Sequence, residues 1–168
     1  LLSQRPLLAK RWSRKNSLHP SEVYKNSSSV ECIFECSEGH EYKVTPQAAS
    51  DEFCPTCSNK EFLTGFNDLK SQFPELADEF VSLGEETDPS KIPFFTIDKA
   101  LWSCSLGHQW KTSVRSRVQG DGCGVCSNKR VLSGFNDLAT KRPDIALQWD
   151  YSKNRTTPSE VVFKSPKK

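Results

Sequence analysis

At 168 residues, 35% of them hydrophobic, with a mean hydropathy of −0.61, the chain is too polar for one large core and reads as small units that need a staple. A net charge of +2 argues neither for nor against nucleic acid, and no apolar run approaches the ~20 residues of a membrane-spanning helix. The seven cysteines are odd in number and stand partly as Cys-x-x-Cys pairs in register with histidines, which points to metal thiolates in a reducing compartment and away from a disulfide framework.

The first 21 residues carry Arg5, Lys10, Arg11, Arg14 and Lys15 and no acid, the composition of a transit-peptide remnant. Most of that stretch nevertheless belongs to a repeat. Pro6-Leu-Leu-Ala-Lys-Arg-Trp12 returns as Pro74-Glu-Leu-Ala-Asp-Glu-Phe80 and as Pro143-Asp-Ile-Ala-Leu-Gln-Trp149. Proline suits the first turn of a helix, so each copy predicts a short helix ending at an aromatic that packs in a core. A polar loop to Pro20-Ser21, Pro89-Ser90 or Pro158-Ser159 follows, and then a strand. Ile33-Phe34-Glu35-Cys36 and Leu101-Trp102-Ser103-Cys104 lead into ligand candidates. Gln109 to Val114 alternates like the return strand of a hairpin. Gly65-Phe-Asn-Asp-Leu69 recurs word for word as Gly134-Phe-Asn-Asp-Leu138, and the Asn-Asp pairs offer helix N-caps. The expected organisation is three leaders and two fingers: residues 1–63 with finger one, 64–132 with finger two, and 133–168 as a third leader whose own finger is absent. The fold class is small α+β zinc-stabilised modules, two tandem treble-clef or zinc-ribbon-like fingers of a hairpin plus short helices, with a partial third leader.

The ligand candidates are Cys36, His40, Cys54 and Cys57 in finger one and Cys104, His108, Cys123 and Cys126 in finger two. A glycine before each His suits a sharp turn that brings two ligands onto one ion. Three thiolates and an imidazole in two tight pairs fit closed, tetrahedral, structural zinc, two ions in all. Cys32 competes with His40 in finger one, but Cys32 aligns with Ala100 whereas His40 aligns with His108, so Cys32 is read as a small buried residue. Catalysis is not expected. Each site is closed by four ligands, no acid recurs beside both (Glu38 aligns with Leu106, Glu41 with Gln109), and His19 is the sole histidine outside the fingers.

The Trp102-x-Cys104-x3-His108-x-Trp110 hairpin, the arginines after it and the Gly122-Cys123-x2-Cys126 closure resemble a treble-clef "probable zinc-ribbon" tandem repeat family. The Pro…Trp leaders and the segment Asn154 to Val161 extend the resemblance over nearly the whole chain. It implies the ligand roles assigned above and a binding or scaffolding task without an activity of its own. Members occur in arrays, sometimes beside nuclease-like domains.

Charge separates the fingers. Residues 1–21 sum to +5, 22–88 to −11 and 89–168 to +8. In finger two Lys111, Arg115 and Arg117 share a parity along the predicted return strand, and Lys129 and Arg130 follow the last ligand. These five residues and the basic termini form the predicted nucleic-acid face, and the acidic first finger faces protein or solvent. No basic recognition helix is visible, which favours RNA over DNA, with Phe94 and Phe95 either stacking on bases or packed inside. The expectation is a structural zinc protein contacting RNA and neighbouring proteins in a large ribonucleoprotein. The acid-poor start and lack of Met point to a processed organellar protein such as a mitochondrial ribosome component, with no membrane and no small-molecule substrate. The alternatives are a protein-interaction scaffold without nucleic acid, or a DNA-binding adaptor beside a nuclease.

Overall fold

Leader prolines, turn asparagines and two ligand pairs per finger leave little chain for regular structure, and the elements are correspondingly short. The computed structural model describes residues 3–164 and divides into two compact units, residues 1–63 and 64–168, so residues 133–164 group with finger two. Unit one contains helix α1 (Pro6–Lys10) and the antiparallel hairpin β1 (Cys32–Glu35) and β2 (Glu41–Val44). Unit two contains α2 (Leu69–Gln72), α3 (Pro74–Glu79), β3 (Phe80–Ser82), β4 (Lys99–Ser103), β5 (Gln109–Ser113), α4 (Val114–Val118), α5 (Leu138–Lys141) and α6 (Pro143–Ala146).

Proline occupies the start of α1, α3 and α6, where its missing N–H leaves nothing unsatisfied. The Asn-Asp pairs divide their labour. Asp68 caps α2 by accepting from the Ser71 amide at 2.8 Å, and Asp137 caps α5 by accepting from the Thr140 amide at 2.8 Å. Asn136 instead reaches out of its own leader, as described below. The Pro-Ser pairs close single 3-10 turns at Pro20–Glu22, Pro89–Lys91 and Pro158–Glu160.

A two-stranded hairpin is marginal in water by itself, and each finger gains a third layer from its leader. In unit one the Ser13 amide donates to the Ile33 carbonyl at 3.0 Å and the Glu35 amide to the Arg11 carbonyl at 2.6 Å, bracketing a bridge between Trp12 and Phe34. In unit two the same joint becomes a strand: β3 joins β4 with Phe80 opposite Trp102, where the sequence pattern implies only a helix end and a loop. The leader ring meets the hairpin ring edge-on in both, at 5.5 Å for Trp12 on Phe34 and 5.7 Å for Phe80 on Trp102. Phe34 and Trp102 are fully buried, with Leu8 and Tyr42 beside the first and Leu69 and Val114 beside the second. Truncating a ring so placed costs about 3–5 kcal/mol, a large share of what a small module has.

The return strand of finger two corrects the sequence reading. It stops at Ser113, whose hydroxyl accepts from the Ser116 amide at 3.1 Å and starts α4 there. Arg115 and Arg117 therefore stand on a helical turn and not on alternate positions of a strand. Arg115 is exposed; Arg117 is only 7% exposed. Its guanidinium lies 5.3 Å from the Trp102 ring centre and 5.4 Å from that of Trp110, donates to the Asp121 carbonyl at 2.6 Å and pairs with Glu79 of the leader. Arg117 is a core cation and leaves the phosphate-facing set.

Candidate metal centres

Each site is assembled from a hairpin turn and a knuckle. Gly39 and Gly107, at φ +80° and +79°, take the left-handed conformation that lets Cys36 and Cys104 fold back on their histidines, with the Cys36 amide donating to the His40 carbonyl at 3.0 Å and the Cys104 amide to that of His108 at 3.1 Å. The second pair sits in a turn closed by the Ser58 amide on the Cys54 carbonyl and the Ser127 amide on the Cys123 carbonyl, both at 3.0 Å. That turn ends on Asn59 and Asn128, each at φ +57°. Asparagine is among the few residues that visit this region readily, which is why Cys-Ser-Asn-Lys ends both knuckles.

The donor atoms converge as tetrahedral zinc requires. Bonds of about 2.3 Å to sulfur and 2.0–2.1 Å to nitrogen give tetrahedral edges of about 3.8 Å between sulfurs and about 3.6 Å between sulfur and nitrogen. Cys36 Sγ lies 3.7 Å from Cys57 Sγ, and His40 Nδ1 lies 3.5, 3.9 and 3.2 Å from the sulfurs of Cys36, Cys54 and Cys57. In finger two Cys104 Sγ lies 3.7 Å from Cys126 Sγ, and His108 Nδ1 lies 3.5, 3.7 and 3.3 Å from the sulfurs of Cys104, Cys123 and Cys126. All eight predicted ligands fall into these two groups. Cys32 does not: it is buried in β1, apart from the ligand set, and burial raises its thiol pKa.

The electrostatics of the thiol clusters favour a cation. Burial pushes the Cys57 and Cys126 thiols up, and the neighbouring thiols Cys54 and Cys36, or Cys123 and Cys104, add to it, so that both rise to about 12. Burial also acts on Cys36 and Cys104, but backbone donors in the hairpin turn, chiefly the amides of His40 and Leu106 respectively, outweigh it and lower these two. Burial first, and the neighbouring thiols second, disfavour a full set of thiolates in each site, and a divalent ion would offset both. Cys54 and Cys123 are buried, Cys57 and Cys126 exposed, so each ion would face solvent on its knuckle side with all four positions filled by protein.

Two supports of finger two come from the leader that follows it, and nothing in the sequence beyond the repeated Phe-Asn hints at either. The Phe135 ring stands edge-on against His108, centres 4.5 Å apart. The Asn136 side chain, only 2% exposed, donates to the carbonyls of Val125 and Arg130 at 2.9 Å each and accepts from the Leu132 amide at 2.7 Å. Val125 lies between the two knuckle cysteines, so Asn136 ties the ligand turn to α5. Outer contacts of this kind hold ligands in orientation.

Of the remaining predicted residues, Lys111, Arg115, Lys129 and Arg130 are exposed, and among the described residues none of them pairs with a carboxylate. The Arg130 stem crosses the knuckle, its Cγ and Cδ 3.1 Å from where a Cβ on Gly124 would stand. The basic N-terminal stretch is mostly spent inside unit one. Arg5 donates to the carbonyls of Pro46 and Ala49, Arg11 to those of Ser50, Asp51 and Phe53, and Lys15 pairs with Glu41 at 2.5 Å, which leaves Lys10 and Arg14 toward solvent. Lys167 and Lys168 of the basic C-terminus lie outside the described residues. Phe94 packs edge-on to Phe73 and Phe95, at 5.5 Å in each case, within a half-buried cluster.

Hairpin turn, knuckle and a Cys3His donor set together define a zinc-binding finger of the treble-clef class. Residues 76–129 match the family model described as a probable treble clef zinc finger domain, a span running from α3 through the last knuckle of finger two. No curated protein matches the chain significantly. Among the described residues no helix is long and apolar enough to cross a membrane.

Proposed function

We propose that the chain is a non-catalytic zinc scaffold of a ribonucleoprotein, with finger two gripping RNA phosphate and unit one turned toward protein. Lys111, Arg115, Lys129 and Arg130 carry this reading: four exposed cations without internal carboxylate partners, on a module stiffened by metal. The acidic residues 22–88 run across both units, which carry eight cations against eight carboxylates in residues 1–63 and fifteen against thirteen in 64–168, so the division of labour rests on where the unpaired cations of finger two lie and not on net charge. Both ligand sets are filled by protein side chains, the arrangement of a structural ion and not of one that activates water.

Binding of the zinc-loaded chain to single-stranded and duplex RNA across a salt series, with duplex DNA as control, tests the assignment. The expected log-log slope corresponds to about three or four phosphate contacts, and replacing the four cations by Ala removes most of it. A slope unchanged in the fourfold variant refutes the assigned face. Flat, weak binding by both proteins supports the scaffold that touches only protein.

A further inference from the structure

Finger two departs from finger one at three places around its metal turn. Leu106, at the tip of the Cys104–His108 turn, is 62% exposed, and finger one has Glu38 there. Arg130 follows the knuckle where finger one has Glu61, and Lys141 of α5 stands where the preceding leader has Gln72. Both fingers bring their four donor atoms together, so the metal site itself demands none of these residues. The buried cation shows what a compensated difference looks like. Unit one takes it from the leader, with Arg11 5.4 Å from the Tyr42 ring centre and Ala49 in the finger. Unit two takes it from the finger, with Arg117 over Trp110 and Glu79 at the position of Arg11. Leu106, Arg130 and Lys141 have no such counterweight: among the described residues neither cation pairs with a carboxylate.

These residues belong to one surface. The amides of Lys129 and Arg130 both donate to the Gly124 carbonyl at 2.8 Å, and the Arg130 stem crosses Gly124 between the knuckle cysteines. Lys141 Nζ lies 5.5 Å from the ring centre of Phe135, the ring that stands against His108. Val131 and Leu132, 38% and 41% exposed, run from Arg130 toward that ring, where the Phe135 amide donates to the Leu132 carbonyl at 3.0 Å. Three thiolates and a divalent ion sum to −1, so three cations leave this surface positive when the site is filled. A small apolar patch is thus rimmed by positive charge.

We propose that this surface takes single-stranded RNA, its phosphates on Lys129, Arg130 and Lys141 and an unstacked base against Leu106, a specificity that presupposes the RNA contact proposed above. A duplex presents the same phosphates but keeps its base faces stacked inside, and would leave Leu106, Val131 and Leu132 wet. A bilayer calls for apolar side chains that reach below the headgroups. Val131 and Leu132 instead lie more than half covered, and of the three Leu106 alone protrudes. A single strand satisfies charge and apolar surface together. In finger one the carboxylates of Glu38 and Glu61 occupy the places of the base contact and of one phosphate contact, so it is excluded from the same task.

The test titrates the zinc-loaded full chain with a short unstructured RNA, with the same strand annealed to its complement, and with phosphatidylserine vesicles. The single strand is expected to bind at least about tenfold more tightly than the duplex. Leu106→Ala should abolish that preference and leave the salt slope unchanged, whereas Lys141→Ala should lower the slope by about one phosphate contact. Both variants are expected to keep two zinc ions per chain, because both residues lie outside the ligand sets. Duplex binding as tight as that of the single strand, with the salt slope intact, overturns the single-strand assignment and leaves the phosphate grip standing. A preference untouched by Leu106→Ala overturns the base contact. Absence of any RNA binding overturns this assignment together with the reading beneath it, and tighter binding to the vesicles than to RNA gives the surface to a membrane and overturns it as well.

Discussion

Exchanging the buried cation between leader and finger should be tolerated only when both ends change together. In unit two, Arg117→Ala removes a side chain that is 7% exposed, two cation–π contacts at 5.3 and 5.4 Å and a hydrogen bond to the Asp121 carbonyl, a loss of about 3 kcal/mol. Glu79→Arg leaves that guanidinium facing a second one. Breaking a buried pair costs about 3–5 kcal/mol, and because the Glu79 side chain is 34% exposed the expected loss is nearer 2–3 kcal/mol. The double variant places an arginine where unit one has Arg11 and an alanine where it has Ala49. If the two units solve one packing problem in two ways, the double variant recovers about 2 kcal/mol of the summed loss. Urea unfolding at fixed free zinc, followed on the indole N–H resonance of Trp102 (bonded to the Thr112 carbonyl at 3.0 Å), reads unit two specifically. Losses that add within about 0.5 kcal/mol refute the equivalence of the two cations.

Cys123→Ser should lower bound zinc from two ions to one and erase the Trp102 indole resonance while that of Trp12 persists, since the two indoles belong to different compact units; simultaneous loss of both would show that the units fold as one. Asn136→Ala orphans the Val125 and Arg130 carbonyls, and competition against a chromophoric chelator should show finger two binding zinc about 10–100-fold more weakly with finger one unchanged. Asp68→Ala should cost about 1–2 kcal/mol near neutral pH. Burial pushes the Asp68 carboxyl up, but donation from the amide and hydroxyl of Ser71 and the amide of Gly65 outweighs it and holds the group below the usual carboxylate range. A depressed folded pKa gives stability that is complete above the unfolded value of about 3.9 and is lost as pH falls through the folded one, so the gap between wild type and variant should narrow below about pH 4. The narrowing is read only where bound zinc, measured in parallel, remains at two ions per chain, since loss of the metal removes the fold of both proteins alike.

The ligand sets are legible because coordination chemistry writes itself into spacing: a glycine-backed Cys-x3-His and a Cys-x2-Cys converge on one ion far more readily than on anything else, and repetition settles His40 over Cys32. The leader helices are legible from proline, and the α2 and α5 caps from aspartate. Arg117 escapes a sequence reading because alternation from Gln109 continues to fit a strand past Ser113, while the event that ends the strand is one hydroxyl accepting from one amide three residues on. Its counterion is hidden for a different reason, since Glu79 lies 38 residues earlier and no local pattern pairs them. Asn136 resembles a cap because that is what Asn before a helix usually is; its true partners, the carbonyls of Val125 and Arg130, are backbone atoms that any sequence possesses.

Because Phe135 braces His108 and Asn136 holds the knuckle, the segment that completes finger two lies within the Gly134-Phe-Asn-Asp-Leu138 word that opens the next repeat. The period written in the sequence and the period at which the molecule becomes mechanically whole are therefore out of phase. A cut at a repeat boundary removes the last stays of the finger upstream and leaves them attached to the piece downstream. Duplication of one sequence repeat, by contrast, inserts a finger whose stays are already present in the leader it is pushed against. Such an array can lengthen by whole repeats without a new joint, but a single repeat excised from it loses the residues that grip its metal turn.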